Sequence, residues 1–394
     1  MKILFVLSRF PWPLEKGDKL RAYHFMRVLA ERHEVYLFAL SDQKVLKEWK
    51  QAMYPICKSI VFQNISKPDI LKGFGWAMLH KKPLQAGYFR SAKALGAVKS
   101  YAEAIQPDVV FCQLVRTAEY IDGLPGFKVL DYQDALSVNM QRRAAASSFP
   151  ANMVFSRESK RLKKYEAALF GDFDLKLIIS EPDRDAIDHP QKEDILTVPN
   201  GVDFEYFTPD YSAEKKYDIL FTGNMSYAPN IEGAIWLVRE IMPRIRAHRP
   251  DTSLLIAGAS PVRAVQQLAG DGIIVSGWMD DIREAYSCSR LFLAPMCSGS
   301  GLQNKLLEAM SMQLPCITTS LANSSLRAQP EQHILVGNTA EEIAQLAVRL
   351  LHDSDTANRI AQDGHRWVKE QYDWETHITD FEHHLLKKYD TWKE

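Results

Sequence analysis

The chain has 394 residues, too long for one ordinary compact domain and suited to two or three. Apolar residues make up 46% and charged residues 25%, a globular composition that excludes disorder, a fibrous repeat and a small disulfide scaffold. The 48 Lys and Arg nearly balance the 49 Asp and Glu, so an overall basic footprint for nucleic acid is absent.

Lys2–Leu7 (KILFVL) reads as a buried strand. After a loop over 8–16, residues 18–31 read as a helix with Leu20, Phe25, Val28 and Leu29 on one side. A strand over 35–40 follows. Residues 44–99 then carry eleven basic residues against only Glu48 and Asp69. That block reads either as a surface for an anionic partner or as a solvated charged face. Within it, 67–82 (KPDILKGFGWAMLHKK) mixes apolar and basic residues as an interfacial segment does. A core helix flanked by solubilising lysines is the alternative. Short apolar strands come next over 109–112, 129–131, 175–179 and 195–198, with helical stretches between them.

Pro199, Asn200, Gly201 and Pro209 punctuate a junction near 200–216. The pattern then restarts with a strand at Tyr217–Thr222, a helix over 230–248, and strands over 253–257, 273–276, 290–294 and 315–318. From about 339 the chain reads as nearly all helix. This alternation predicts parallel sheets covered on both faces. The fold class is therefore α/β, two Rossmann-like domains facing a cleft, with ligands expected at the carboxyl ends of the strands.

The five cysteines, Cys57, Cys112, Cys288, Cys297 and Cys316, are odd in number and form no Cys-x-x-Cys, which fits a reduced cytosolic setting. Cys297 is expected to be a small buried filler rather than a nucleophile. No apolar run approaches the roughly 18 residues of a transmembrane helix. Ser8 and Arg9 end the apolar start of the chain, so no secretory leader is expected.

The densest chemical signal is 293–318, LAPMCSGSGLQNKLLEAMSMQLPCIT. A strand runs into Ser298, Gly299, Ser300 and Gly301, and a helix opens near Leu302 and ends before Pro315. Small residues admit close backbone approach, and the unpaired N–H groups of a helix start suit phosphate. Lys305 stands in the first turn, where it can meet a diphosphate. Glu308, three residues on, shares its face and can accept hydrogen bonds from ribose or sugar hydroxyls. The plain alternative is a helix start with an internal Lys–Glu pair, worth only about 0.2–0.5 kcal/mol.

GLQNKLLEAMSMQLPCI resembles the donor-binding helix of retaining glycosyltransferases of family 4, which have the GT-B fold, with Leu307-Glu308-Ala309-Met310-Ser311 in its central place. Pro199-Asn200-Gly201-Val202-Asp203 with Phe207 resembles that family's segment between domains. Phe221-Thr222-Gly223-Asn224-Met225 followed by Pro229-Asn230 resembles the first turn of its nucleotide-binding domain. The loop with Gly17-Asp18 and the following helix with Arg21 fit the family's N-domain glycine loop more loosely. The helical Gly-x-x-x-Lys-x-x-Glu variant resembles a branch linked to bacterial surface-polysaccharide synthesis.

The resemblance implies an acceptor-binding domain over 1–205, a nucleotide-sugar-binding domain over 206–373, and a helix over 374–394 that packs back on the first. It implies a retaining glycosyltransferase that moves a sugar from a nucleotide-sugar donor to an acceptor hydroxyl, in bacterial cell-surface polysaccharide or glycolipid synthesis. Donor contacts are then expected from Gly17, Gly223, Asn224, Gly277, Trp278, Ser300, Gly301, Leu302, Gln303, Lys305 and Glu308, with Lys305 the main diphosphate cation. Two departures stand out. Ser300 occupies the place of a glutamate common in the family, and Gly223-Asn224-Met225-Ser226 lacks the Arg and Lys that many members carry there.

On the acceptor side, Asp131 and Asp134 follow an N-domain strand, where a carboxylate can orient or deprotonate a hydroxyl. Asp134 can equally cap the next helix. Catalytic roles are thus assigned to Asp131, Asp134, Lys305 and Glu308, and acceptor contacts to Arg21, Arg116 and Asp134. For Arg116 a surface salt bridge is the alternative; His24 reads as a packed helix residue. No metal site and no cofactor are expected, since the nucleotide sugar is a substrate. No Gly-x-Gly-x-x-Gly follows the first strand and no P-loop motif occurs, which disfavours a dehydrogenase or P-loop NTPase. Expected partners are the donor, a saccharide or lipid-linked acceptor, and an anionic membrane surface met by 44–99, with no nucleic acid. The expected location is the cytoplasm, peripherally on the inner face of the plasma membrane. A sugar-nucleotide 2-epimerase-like enzyme and a non-catalytic nucleotide-sugar-binding subunit are the alternative functions.

Overall fold

The computed structural model describes residues 1–145, 147–299 and 301–394. They divide into two units, Met1–Pro199 with Glu375–Glu394, and Asn200–Trp374. The division falls at Pro199, ahead of the expected boundary after residue 205, because Val202 pairs with the strand-like backbone at Asp373 and donates to the Tyr372 carbonyl at 2.9 Å.

The first unit is built on seven parallel strands: β1 (Lys2–Leu7), β2 (Glu34–Ser41), β3 (Ser59–Asn64), β4 (Val109–Gln113), β5 (Phe127–Asp131), β6 (Leu175–Ile178) and β7 (Leu196–Thr197). Their order is β3-β2-β1-β4-β5-β6-β7. Ile3, Leu4, Phe5 and Val6 are fully buried, as a central parallel strand covered on both faces requires. β3, an edge strand only half-buried, lies inside the basic block and carries no clean apolar run, so the sequence pattern did not reveal it. The terminal helix Trp374–Lys393 closes this unit from Glu375 onward. Phe381 packs on Phe25 and Phe111, and Glu382 takes hydrogen bonds from Arg32.

The second unit has six parallel strands: β8 (Tyr217–Thr222), β9 (Leu254–Ala257), β10 (Ile273–Gly277), β11 (Ser289–Ala294), β12 (Cys316–Thr318) and β13 (Leu335–Val336), in the order β10-β9-β8-β11-β12-β13. The helix expected over 230–248 is divided. Ala228–Trp236 passes through a π-helical turn, Leu237–Ile241, into Met242–His248. Pro243 has no N–H to give the regular ladder, which accounts for the break.

In each sheet the strand order reverses beside the first strand, between β1 and β4 and between β8 and β11. Such a reversal is the usual ligand position in open parallel sheets, because the connections leaving the two neighbouring strands run to opposite faces. Both α/β units therefore carry their candidate residues at a strand-order reversal.

In the basic block, the helix Lys67–Leu79 opens with a capping box between Ser66 and Asp69. It buries Gly73 and Ala77 but exposes Leu71 (73%), Met78 and Leu79 (79%), so it is not a core helix. Among the described residues no helix is long and apolar enough to cross a membrane.

Candidate active site

In the second unit, Gly223 and Gly258 end β8 and β9 with φ of +152° and +139°. A Cβ on Gly258 would lie 1.9 Å from the Gly223 carbonyl oxygen, so the close backbone approach admits only glycine. A Cβ on Gly223 would meet the Asn230 amide at 2.6 Å. Asn230 is thereby seated at the start of the helix Ala228–Trp236, where its Nδ2 donates to the Asn224 carbonyl at 2.9 Å. Its Oδ1 accepts from Lys305 Nζ.

Lys305 enters from the helix Asn304–Ser311, which is anchored by the buried Leu306, Leu307, Ala309 and Met310. Its ammonium lies 3.6 Å from Met296 Sδ and 5.1 Å from the centre of the Phe221 ring. Burial pushes it down to about 7, with Glu308 opposing. Glu308 makes no direct ion pair with it. Glu308 instead accepts a hydrogen bond from Tyr286 at 2.7 Å, and the Tyr286 hydroxyl lies 2.9 Å from Thr222 Oγ1. Burial raises the Glu308 carboxyl, while Tyr286 and Lys305 oppose it. In place of the internal Lys–Glu pair, the plain alternative for these residues, there are two relays, Lys305–Asn230–Asn224 and Glu308–Tyr286–Thr222. Both converge on the end of β8.

The turn into this helix contains Gly301 (φ +75°), Leu302 and Gln303, and Gln303 makes no side-chain cap. The Leu306 N–H donates back to the Gln303 carbonyl at 2.9 Å, and among the described residues the N–H groups of Asn304 and Lys305 meet no acceptor and are left for a ligand or water. Ser300 lies outside the described residues. At the end of β10, Gly277 (φ +72°) closes a bulge and accepts from the Gly258 N–H at 3.0 Å. Trp278 is 60% exposed, and its indole donates to Asp280 at 3.2 Å, so it is not a packing residue. Cys297 is exposed rather than a buried filler, because the turn after β11 faces outward. Burial of its sulfur still holds the thiol above its ordinary value.

In the first unit, Arg21 and Asp131 meet each other. The fully buried Arg21 guanidinium gives Nε to Asp131 Oδ2 at 2.6 Å, Nη2 to Oδ1 at 3.2 Å and Nη1 to the Val198 carbonyl at 2.9 Å. Asp131 Oδ1 also accepts from the Gln133 N–H at 3.1 Å. The carboxylate expected as a base and the cation expected at the acceptor thus lock the sheet to the helix Gly17–Leu29, away from solvent. Asp134 remains partly exposed. Burial, then Asp183, drives its carboxyl well above the ordinary value, with Arg21 and Arg116 opposing. Asp183 itself accepts from the Ala135 N–H at 3.3 Å.

Gly17 begins the helix Gly17–Leu29, and the next residue, Asp18, takes a 2.5 Å salt bridge from Arg9. Burial would raise Asp18, but Arg9 and then Arg116 hold it below its ordinary value. Arg116 donates to Gln85 at 2.9 Å. Burial, then Arg9, lowers its guanidinium to about 10, against Asp18 and Asp134. Among the described residues no group of three or more His, Cys, Asp or Glu is gathered as a metal ion would require.

Sequence reasoning did not single out Arg9, Asn230, Asp183 or Tyr286 as site residues. Arg9 follows a strand's carboxyl end, a position that signals function, and Asn230 lay inside a quoted motif. Nothing local marks Tyr286 or Asp183.

Residues 216–353 match the family model described as glycosyl transferases group 1. An uncharacterized 44.6 kDa protein in the cps region of Klebsiella pneumoniae is 22% identical over 395 residues, covering 94% of this chain and 96% of its own. A GDP-mannose-dependent monoacylated alpha-(1-6)-phosphatidylinositol monomannoside mannosyltransferase of Corynebacterium glutamicum is 26% identical over 211 residues, 48% of this chain and 54% of its own. Among solved structures, sucrose-phosphate synthase from Thermosynechococcus elongatus superposes with a TM-score of 0.73 at 16% identity over 99% of this chain and all of its own. HepE of Anabaena in complex with UDP-glucose gives 0.69 at 13% identity, covering 98% and 100%. A group 1 glycosyltransferase domain, set in a chain whose two α/β units reproduce the fold of these enzymes, makes this protein a glycosyltransferase with the GT-B fold.

Proposed function

We propose that the chain is a retaining family 4 glycosyltransferase that transfers a sugar from a nucleoside-diphosphate donor to an acceptor hydroxyl in bacterial cell-surface polysaccharide or glycolipid synthesis. The observation that carries this reading is the seating of Lys305 at the second sheet's strand-order reversal, beside the open N–H groups of its helix. A leaving diphosphate gains negative charge in the transition state. A fixed cation and oriented N–H donors stabilise that charge without reorganising at the moment of reaction. Glu308, held by Tyr286, is placed for ribose or sugar hydroxyls, and Trp278 offers an exposed ring for a base. The solved HepE complexes hold UDP, glucose and UDP-glucose, and the Klebsiella relative comes from a cps region, which supports the donor class and the pathway.

In this reading the first unit binds the acceptor. With Asp131 closed off by Arg21, Asp134 is the carboxyl available to orient the acceptor hydroxyl. Leu71, Met78 and Leu79, set among Lys67, Lys72, Lys81 and Lys82, support peripheral attachment to an anionic membrane. Glu158 accepts from the Leu84 and Gln85 N–H groups at 2.9 Å, at the start of the short helix that follows the turn. This ties the turn to the helix Ala151–Ala168, whose first turns add the exposed Met153 and Val154.

The test is a thermal-shift screen of UDP- and GDP-sugars against the unmodified chain and Lys305→Ala. A ligand that binds only the folded state raises the melting temperature. A shift with one donor class, lost in the variant, is expected, followed by transfer with retained anomeric configuration seen by NMR. A shift that persists in Lys305→Ala, or donor turnover with no acceptor present, contradicts the reading.

A further inference from the structure

Two arginines of the first unit converge where its strand order reverses. Arg9 leaves β1 and Arg116 lies just beyond β4. Each guanidinium carbon lies 5.6 Å from the centre of the same Phe89 ring. One carboxylate, Asp18, serves both. It takes Arg9 Nη1 at 2.5 Å and feels Arg116 as its next strongest charge. Gln85 holds Arg116 by Nε alone, at 2.9 Å. Among the described residues no acceptor meets either Arg116 Nη group, and Arg9 Nε is buried with no hydrogen-bond partner.

Two half-sheltered guanidiniums beside one firm carboxylate leave positive charge and unused donors at the strand-order reversal. The nearby Asp134 does not cancel it, because burial and Asp183 drive that carboxyl toward its neutral form. Like charges held together out of water are unfavourable until an anion joins them. Guanidinium forks match the planar or tetrahedral oxygens of carboxylate and phosphate.

We propose that Arg9 and Arg116 clamp an oxyanion, a phosphate or a carboxylate, that the acceptor carries beside the hydroxyl to be glycosylated. This rests on the reading that the first unit binds the acceptor. The clamp makes the enzyme selective for acidic acceptors and leaves Asp134 facing the hydroxyl. Lys305, in the second unit, serves the donor.

The experiment is ligand-observed NMR titration of the full chain with three probes: sn-glycerol 3-phosphate, glucuronate and neutral methyl glucoside. Arg9→Gln and Arg116→Gln are compared with the unmodified protein, and UDP and GDP binding is followed in parallel. We expect an anionic probe to bind and the neutral one not to. Each Gln variant should weaken that binding about 10- to 100-fold, the loss of a charge-assisted hydrogen bond. Arg116→Lys should restore part of it. Nucleotide binding should be unchanged in every variant, which also reports that the chain has folded. Preference for one anion names phosphate or carboxylate as the source. The proposal is overturned if neither anion binds the unmodified chain, if the Gln variants bind anions as well as it does, or if the variants lose nucleotide instead. Absence of nucleotide binding to the unmodified chain would count against the donor assignment alone and leave the clamp measurable.

Discussion

Lys305 is held at an energetic disadvantage in the free protein. Its ammonium has an amide oxygen, a thioether and an aromatic face for company, and no carboxylate within salt-bridge reach. Its folded value of about 7 lies below the ordinary 10.5, so the folded chain binds fewer protons than the unfolded chain between those values. Stability at this site therefore rises with pH through that window, and the penalty is full below it. Lys305→Met should then raise the melting temperature at about pH 6 while abolishing donor binding, the trade expected where a site is built for a ligand. A lowered melting temperature would overturn this account. Nucleotide-sugar affinity of the unmodified chain should fall between about pH 6 and 8.5 as the free Lys305 loses its proton, whereas Lys305→Arg, which stays charged throughout, should show little of that dependence in titration calorimetry. Arg21 and Asp131 present the opposite case, a buried pair whose donors and acceptors are met. Removing one partner, as in Asp131→Asn or Arg21→Met, should cost about 3–5 kcal/mol, read as a large drop in melting temperature, because a charge is left buried alone.

At the scale of elements, the site proposed for the donor depends on backbones brought into contact. β8 and β9 end in glycines whose positive φ and mutual approach leave no room for a side chain. Gly258→Ala would add strain in φ and a clash with the Gly223 carbonyl. It should destabilise the second unit by about 2–3 kcal/mol and weaken nucleotide binding together, since Asn230 and through it Lys305 are seated on Gly223. Unchanged nucleotide affinity in a folded Gly258→Ala protein would mean that the relay is not what positions Lys305. The helices Lys67–Leu79 and Leu84–Tyr88 meet in the same manner, where a Cβ on Gly73 would lie 1.9 Å from the Gly87 carbonyl oxygen. That approach buries one face of the first helix and leaves Leu71, Met78 and Leu79 on the other.

For the whole molecule, the basic block over 44–99 in the first unit carries the exposed Leu71, Met78 and Leu79. Their combination should bring the full chain to vesicles containing phosphatidylglycerol, less strongly at high salt, and hardly at all to phosphatidylcholine alone. Replacing Leu71, Met78 and Leu79 together with Ser should lower the partition coefficient by at least about tenfold in a flotation assay, since each side chain adds roughly 1.5–3 kcal/mol on burial. The variant should keep its donor thermal shift, because these residues lie in the other unit.

Strand identity was legible wherever burial on both faces demanded a continuous apolar run, as in KILFVL and YDILFT, and the alternation with helices led to two parallel sheets. The lysine and glutamate of the helix Asn304–Ser311 were legible too, because a glycine-rich turn into a helix start has a local chemical meaning. The half-buried edge strand Ser59–Asn64 left no such pattern. Partners chosen across long stretches of chain were also hidden. Arg21 finds Asp131 across 110 residues and Lys305 finds Asn230 across 75. One of these contacts turns an expected base into a structural ion pair, and the other shows what holds the Lys305 ammonium. The sequence by itself determined the buried strands and the residue types at their ends, since both follow from local periodicity and turn chemistry. Only the tertiary structure decided which charges are spent on each other and which, such as Arg9 and Arg116, keep donors unpaired, because that depends on burial and on distances that no local pattern encodes.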